Sequence, residues 1–146
     1  ITKEFGPRVR VSKIFTNLPL THDKPEKFGV TEFCDICRRC YEACPVDAIT
    51  DGPPTDTGQN QSSLKGVVKW TTDCEKCFGY WTALRTDCAI CMRVCPYNKD
   101  FSKWYMKLAR WLAGTRLRRF MLWLDIKLGY GERDDPQKWW SGGYQK

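Results

Sequence analysis

A chain of 146 residues with a formal charge of +7 suits one modest domain and leaves little room for a core that is stable without help. Its longest wholly apolar run, Phe120 to Leu124, is far too short to cross a bilayer. The chain shows no signal peptide; beginning at Ile1, it reads as a processed product or a piece of a longer protein.

Residues 1–30 carry no cysteine and read as an extended segment. Alternation in Arg8-Val9-Arg10-Val11-Ser12 predicts a strand with Val9 and Val11 on one face and Arg8 and Arg10 on the other. Two guanidiniums on one strand face suit an anion such as a carboxylate; a solvated edge strand accounts for them equally well. Leu18-Pro19-Leu20 and Lys24-Pro25 favour an extended connection, because Pro and the residue before it resist helix. His22, the single histidine, lies beside Asp23 in a loop and reads as solvated rather than catalytic.

Residues 31–100 hold nine cysteines. Cys34-x2-Cys37-x2-Cys40-x3-Cys44-Pro45 is the bacterial ferredoxin pattern, in which three thiolates hold one iron–sulfur cluster and the fourth reaches across to another. Cys88-x2-Cys91-x3-Cys95-Pro96 repeats Cys37, Cys40, Cys44 and Pro45 at a constant shift of 51 residues. An internal repeat is what a pseudo-twofold, two-cluster domain requires. Disulfides would suit so many cysteines in a secreted chain, but an odd count in two runs each closed by Pro fits clusters better. A zinc ribbon needs two separated C-x2-C pairs and leaves the x3-Cys-Pro endings unexplained.

By the crossing rule, Cys34, Cys37, Cys40 and Cys95 hold the first [4Fe–4S] cluster, and Cys44, Cys88 and Cys91 give three ligands for the second. Cys74 and Cys77 are both candidates for the fourth, with Cys77 preferred. The ten residues between Cys77 and Cys88 then form an inserted turn whose Phe78, Tyr80 and Trp81 shield the cluster or simply pack the insert. A short helix is expected over Ile36–Ala43, a long loop over 51–66, and a short strand over Gly66–Trp70. Two oxidised cubanes of about −2 each lower the formal +7 by four, to about +3. So mild a charge makes no case for a nucleic-acid partner.

Residues 101–146 turn helical. Phe101, Trp104, Leu108, Trp111 and Leu112 recur at three- and four-residue spacing, with Gly114 as a stop. Thr115 is expected to cap a second helix carrying Leu117, Phe120, Met121, Leu124 and Leu128. Lys103, Lys107, Arg110, Arg116, Arg118 and Arg119 make a basic face, either wet or set against a membrane surface or an anchoring subunit. The expected class is α+β: a ferredoxin-like two-cluster domain between an extended N-terminal segment and C-terminal helices, with divisions at 1–30, 31–100 and 101–146.

Gly6-Pro7-Arg8-Val9-Arg10, Thr16-Asn17-Leu18-Pro19-Leu20, Phe28-Gly29-Val30, Cys77-Phe78-Gly79-Tyr80-Trp81, Thr86-Asp87-Cys88-Ala89-Ile90-Cys91-Met92, Tyr130-Gly131 and Trp139-Trp140 stand beside the cysteine runs. Together they resemble the C-terminal part of the corrinoid-dependent reductive dehalogenases of organohalide respiration. The resemblance implies a chain preceded by a corrinoid-binding domain, of which residues 1–30 are the end. Electrons would pass through two [4Fe–4S] clusters to a corrinoid cobalt that removes halide from an organohalide. It also implies Arg8 near substrate, Arg8 and Arg10 in the corrinoid vicinity, a membrane-anchor subunit, and a place at the outer face of the cytoplasmic membrane. Two rivals share the cysteine pattern: an epoxyqueuosine reductase-like cobalamin enzyme acting on tRNA, and a free-standing two-cluster ferredoxin, which needs neither the N-terminal segment nor the aromatic tail.

Overall fold

The computed structural model describes residues 1–24 and 26–132; the expectations for Trp139-Trp140 lie outside them. Six helices occur among the described residues: α1 (Val30–Cys37), α2 (Arg39–Glu42), α3 (Cys74–Leu84), α4 (Ile90–Arg93), α5 (Trp104–Ala113) and α6 (Arg118–Lys127).

The internal repeat is also a structural repeat. The helix expected over Ile36–Ala43 is divided at Arg38, which enters the left-handed region at φ 49° and starts α2. Ala89, 51 residues later, does the same at φ 53° and starts α4. Both short helices end on residues near φ −80°, Ala43 and Val94, whose N–H groups bond back to Arg39 and Ile90. A non-glycine residue in this region costs roughly 1–2 kcal/mol, so each turn is held by something outside itself. α2 packs against α4, which puts the two repeats face to face.

The α+β expectation is corrected. Among the described residues the only strand pairing is isolated bridges: Thr2 with Gly6, Ile49 with Thr72 and Thr55 with Lys69. The last two are remnants of an antiparallel hairpin, with Thr50 N–H bonded to Thr71 O at 3.0 Å. Between them lies Asp51-Gly52-Pro53-Pro54, and proline has no N–H to continue the ladder. The strand over Arg8–Ser12 does not form either; among the described residues the segment has no neighbour to pair with, and Val11, Ile14 and Phe15 are almost wholly exposed.

Close backbone approach fixes the two ends of this segment. Gly6 sits at φ +58°, and a Cβ there would stand 1.9 Å from the Tyr97 carbonyl oxygen. Gly29, at φ +80°, would bring its Cβ to 2.3 Å from the Gly114 Cα. Only glycine allows both contacts.

The core joins the cysteine repeats to the C-terminal helices through Phe33, Tyr97, Phe101 and Ala113, with Phe28, Met106, Met121 and Leu122 packed around them. The anticipated stripes are therefore only partly inward. Trp104, Leu108 and Trp111 of α5 and Leu117, Phe120 and Leu128 around α6 face outward, because Met106 and Ala113 turn the other side of α5 to the core. Gly114 does end α5. Thr115 does not cap the second helix, because Leu117 stands at the start of α6 without a side-chain cap, and the Thr115 hydroxyl only accepts from Leu117 N–H at 3.2 Å in the preceding turn.

The basic face is divided as well. Arg110 reaches the Lys3 carbonyl and lies 5.0 Å over the Phe101 ring, and Arg118 bonds Thr115 O at 3.0 Å.

An ion cluster ties α6 to the first cysteine run. Asp125, 5 % exposed, accepts from Arg39 Nη1 at 2.7 Å and pairs with Lys99. Arg39 Nη2 also bonds Tyr130 O at 2.7 Å, and Lys99 lies 4.2 Å over the Tyr130 ring. Removing one partner of a buried ion pair costs about 3 kcal/mol or more. Asp125→Ala is therefore expected to lower the thermal unfolding midpoint of the cluster-loaded protein by about 10 °C. Trp104→Ala, on the open face of α5, should change it by at most about 2 °C; equal effects would show that the ion cluster is not what holds α6.

Candidate metal centre

The fold gathers the cysteines into two adjoining groups. Cys34, Cys37, Cys40, Cys91 and Cys95 line one cavity of about 270 Å³, whose other walls include Phe33, Ile49, Trp70 and Tyr97. Burial, then the thiolates of Cys95, Cys37 and Cys40, push the Cys34 thiol from 9.0 up to about 12. Burial also raises Cys37 to about 11, against a backbone N–H from Arg39; Cys95 and Cys40 act on it as further thiolates.

The second group centres on Cys77. Burial raises its thiol, followed by the charges of Cys44, Cys88 and Cys74. Cys91 stands between the groups, raised by burial and then by Cys40, Cys77 and Cys88, with a backbone N–H from Met92 working the other way.

The sequence pattern did not reveal why Cys77 lies there. What reads as an inserted turn is the eleven-residue α3. Asp73 caps it, accepting from Glu75 N–H at 3.1 Å and Lys76 N–H at 3.0 Å, while Asn60 Nδ2 donates to the same oxygen at 2.6 Å. Asp73 N–H bonds Ala48 O at 2.6 Å, fastening the start of α3 to the turn after Cys44. Asp at N-cap with Glu75 in the first turn was the available signal. Cys74 begins the helix exposed, its thiol turned to Thr72 O at 3.6 Å; Cys77, one turn on, faces the other thiols. Phe78 and Trp81 are exposed, so they do not seal this site within the described chain.

The remaining candidates do not line the thiol cavity, although Pro7 beside Arg8 does. Arg8 is exposed and donates from Nη2 to Lys99 O at 3.0 Å; Arg10 and His22 are exposed.

The donor set fits iron–sulfur clusters. Among the described residues no three His, Cys, Asp or Glu side chains close on a point as a single ion requires, whereas a cubane takes one thiolate at each iron and spreads its ligands around a body. Among the described residues a backbone N–H points at a sulfur after the first run: Ala48 N–H lies 3.3 Å from Cys44 Sγ, while the Tyr41 and Asn98 N–H groups bond the Arg38 and Cys95 carbonyls. A donor to sulfur stabilises thiolate charge and is among the features that set cluster potential. Two cations border the first group, Arg39 acting on Cys37 and Lys99 on Cys95. Burial and then Arg39 lower the Lys99 ammonium, and the Cys95 thiolate opposes that shift.

Fold and thiols together define a double-cluster iron–sulfur domain, and residues 33–98 match the family described as the 4Fe-4S double cluster binding domain. The chain is 44% identical to the tetrachloroethene reductive dehalogenase of Sulfurospirillum multivorans over 97% of its own length and 28% of that protein. The solved structure of the catabolic reductive dehalogenase NpRdhA in complex with 3-bromo-4-hydroxybenzoic acid superposes with a TM-score of 0.67 at 29% identity, covering 80% of this chain and 16% of that one. The epoxyqueuosine reductase of Atelocyanobacterium thalassa is 34% identical over 70% of this chain and 32% of its own. Along nearly its whole length the chain is therefore similar to the C-terminal iron–sulfur part of reductive dehalogenases, and it spans about a quarter of the length of such relatives.

Metal loading requires thiolates, so thiols held near 11 and 12 must give up protons to be bound. Below those values each gains about tenfold in thiolate fraction per pH unit. Reconstitution of the metal-free protein with iron and sulfide, followed by its visible absorbance, is expected to accelerate from pH 7 to 9. A flat profile would mean that the thiols are already ionised.

Proposed function

We propose that this chain is the electron-transfer portion of a corrinoid-dependent reductive dehalogenase, in which electrons reach a corrinoid carried by an upstream domain and displace halide from an organohalide. The observation that carries this reading is the turn from Cys40 to Cys44: Cys40 lines the first group, and Cys44 acts on Cys77 in the second. Four residues of chain thus keep two centres adjacent. Bound there, [4Fe–4S] clusters supply single-electron relays. We assign Cys34, Cys37, Cys40 and Cys95 to the first and Cys44, Cys77, Cys88 and Cys91 to the second.

The residues around the thiols do the rest. Phe33, Ile49 and Trp70 give the first group apolar walls, and the Ala48 N–H and the bordering cations favour added negative charge. The exposed apolar residues Val11, Ile14, Phe15, Leu18 and Leu20 support burial of the N-terminal segment against the corrinoid-binding domain, with Arg8 toward substrate and corrinoid and Arg10 in the corrinoid vicinity. Exposed Trp104, Trp111, Phe120 and Trp123 among lysines and arginines support an anchoring subunit at the outer face of the cytoplasmic membrane. No described helix is long and apolar enough to cross a membrane.

Cys77→Ala is expected to halve the cluster signal, whereas Cys74→Ala leaves iron near eight atoms per chain, about four for each cubane; the reverse would exchange their roles. In the full-length enzyme, Arg8→Leu should slow dehalogenation about tenfold with cluster spectra unchanged, and normal turnover would make Arg8 a purely structural contact. Tight, salt-sensitive tRNA binding, without dehalogenation, would favour the epoxyqueuosine reductase reading instead.

A further inference from the structure

A buried hydroxyl lies beside the first group of thiols. Tyr97 follows Cys95-Pro96 and is 2 % exposed. Phe33 meets its ring edge-on with centroids 5.5 Å apart, and Phe28 does so at 6.1 Å. This cage is apolar, and the Tyr97 hydroxyl has no hydrogen-bond partner among the described residues. A buried hydroxyl without a partner is unfavourable, and phenylalanine would fill the same ring space without that cost. The oxygen therefore calls for an acceptor that the aromatic cage does not provide.

Tyr97 borders two cavities: one between α5 and α6, and the cavity of the first thiol group. It lines the latter together with Cys34, Cys37, Cys40 and Cys95, and the side chains of Cys37 and Cys95 pack against the same aromatic core. The thiolates whose charges bear on the hydroxyl are Cys34, Cys95 and Cys37, all from the first group, with Arg110 opposing them. In the other repeat the position equivalent to Tyr97 is Val46, so the second group has no such donor at that place.

We propose that the Tyr97 hydroxyl donates a hydrogen bond to a sulfur of the cluster bound by Cys34, Cys37, Cys40 and Cys95, and so raises the potential of that cluster selectively. This rests on the two-cluster reading above. Reduction adds negative charge to the sulfurs, an O–H donor binds the reduced form more strongly, and hydrogen bonding to sulfur is a recognised lever on cluster potential. Tyr97 is then a tuning and positioning residue rather than a catalytic one. The repeat, nearly symmetric in its backbone, carries an asymmetric donor that makes its two centres unequal.

The test is a potentiometric titration followed by electron paramagnetic resonance on the full-length, cluster-loaded protein, after iron analysis of the wild type. Tyr97→Phe is expected to keep its iron and to lower one of the two midpoint potentials by about 59 mV, a tenfold change in a one-electron equilibrium. Replacing Tyr97 with 3-fluorotyrosine, a stronger donor of nearly the same shape, should raise that same potential, and it decides the question if the phenylalanine variant does not load. Unmoved potentials in the loaded variants, or equal shifts of both clusters, overturn the role of Tyr97 alone. A wild type without a pair of cubanes overturns the two-cluster reading and this inference with it.

Discussion

Two turns of the backbone bring their first thiols to one group and their last to another, and much of the described structure answers to that constraint. Arg38 and Ala89 accept a left-handed conformation that starts α2 and α4 immediately after Cys37 and Cys88. The helical turn that follows carries Cys40 or Cys91, and its end carries Cys44 or Cys95. Because α2 lies against α4, each turn places its closing cysteine beside the opposite run. After the first of these turns Ala48 N–H points at Cys44 Sγ, so the geometry that brings the thiols together also supplies a donor that stabilises thiolate charge.

The C-terminal helices complete the centre. The core is made where Phe33 and Tyr97, next to the thiols, meet Phe101 and Ala113. Arg39 and Lys99 come from the two cysteine repeats and share Asp125 on α6. One buried and two half-buried charges are costly to bring out of water, and such a cluster persists only when its members satisfy one another. Its consequence is that α6 cannot move without disturbing side chains that border Cys37 and Cys95. Stability and electrostatic surroundings of the first thiol group are thus linked through one carboxylate.

The pseudo-symmetry of the backbone does not extend to these surroundings. The first group has an apolar cavity and two nearby cations, while the second is completed by a capped helix, α3, whose aromatic residues Phe78 and Trp81 are exposed. Solvent exposure and local charge are the features that separate the potentials of otherwise similar clusters. A gradient between adjacent centres gives electron flow a direction, and the asymmetry of the side chains is where this chain can build one.

The cysteine spacing, the 51-residue repeat and the two C-terminal helices were legible in the sequence because each depends on short-range reach: a turn either carries thiols to one side or it does not, and a helix announces itself by period. The family resemblance rested on the same local signatures. What tertiary structure decided was long-range. The expected strands fail, one for want of a neighbour and the other because prolines interrupt its ladder. The side of α5 that carries Met106 and Ala113 wins the core from the tryptophan side, and Asp125, a charge within an apolar pattern, is buried because Arg39 and Lys99 arrive from distant parts of the chain. The placement of the Tyr97 hydroxyl is of the same kind. Ligand spacing is written between neighbours along the chain, whereas burial and partnership depend on which surfaces meet after folding.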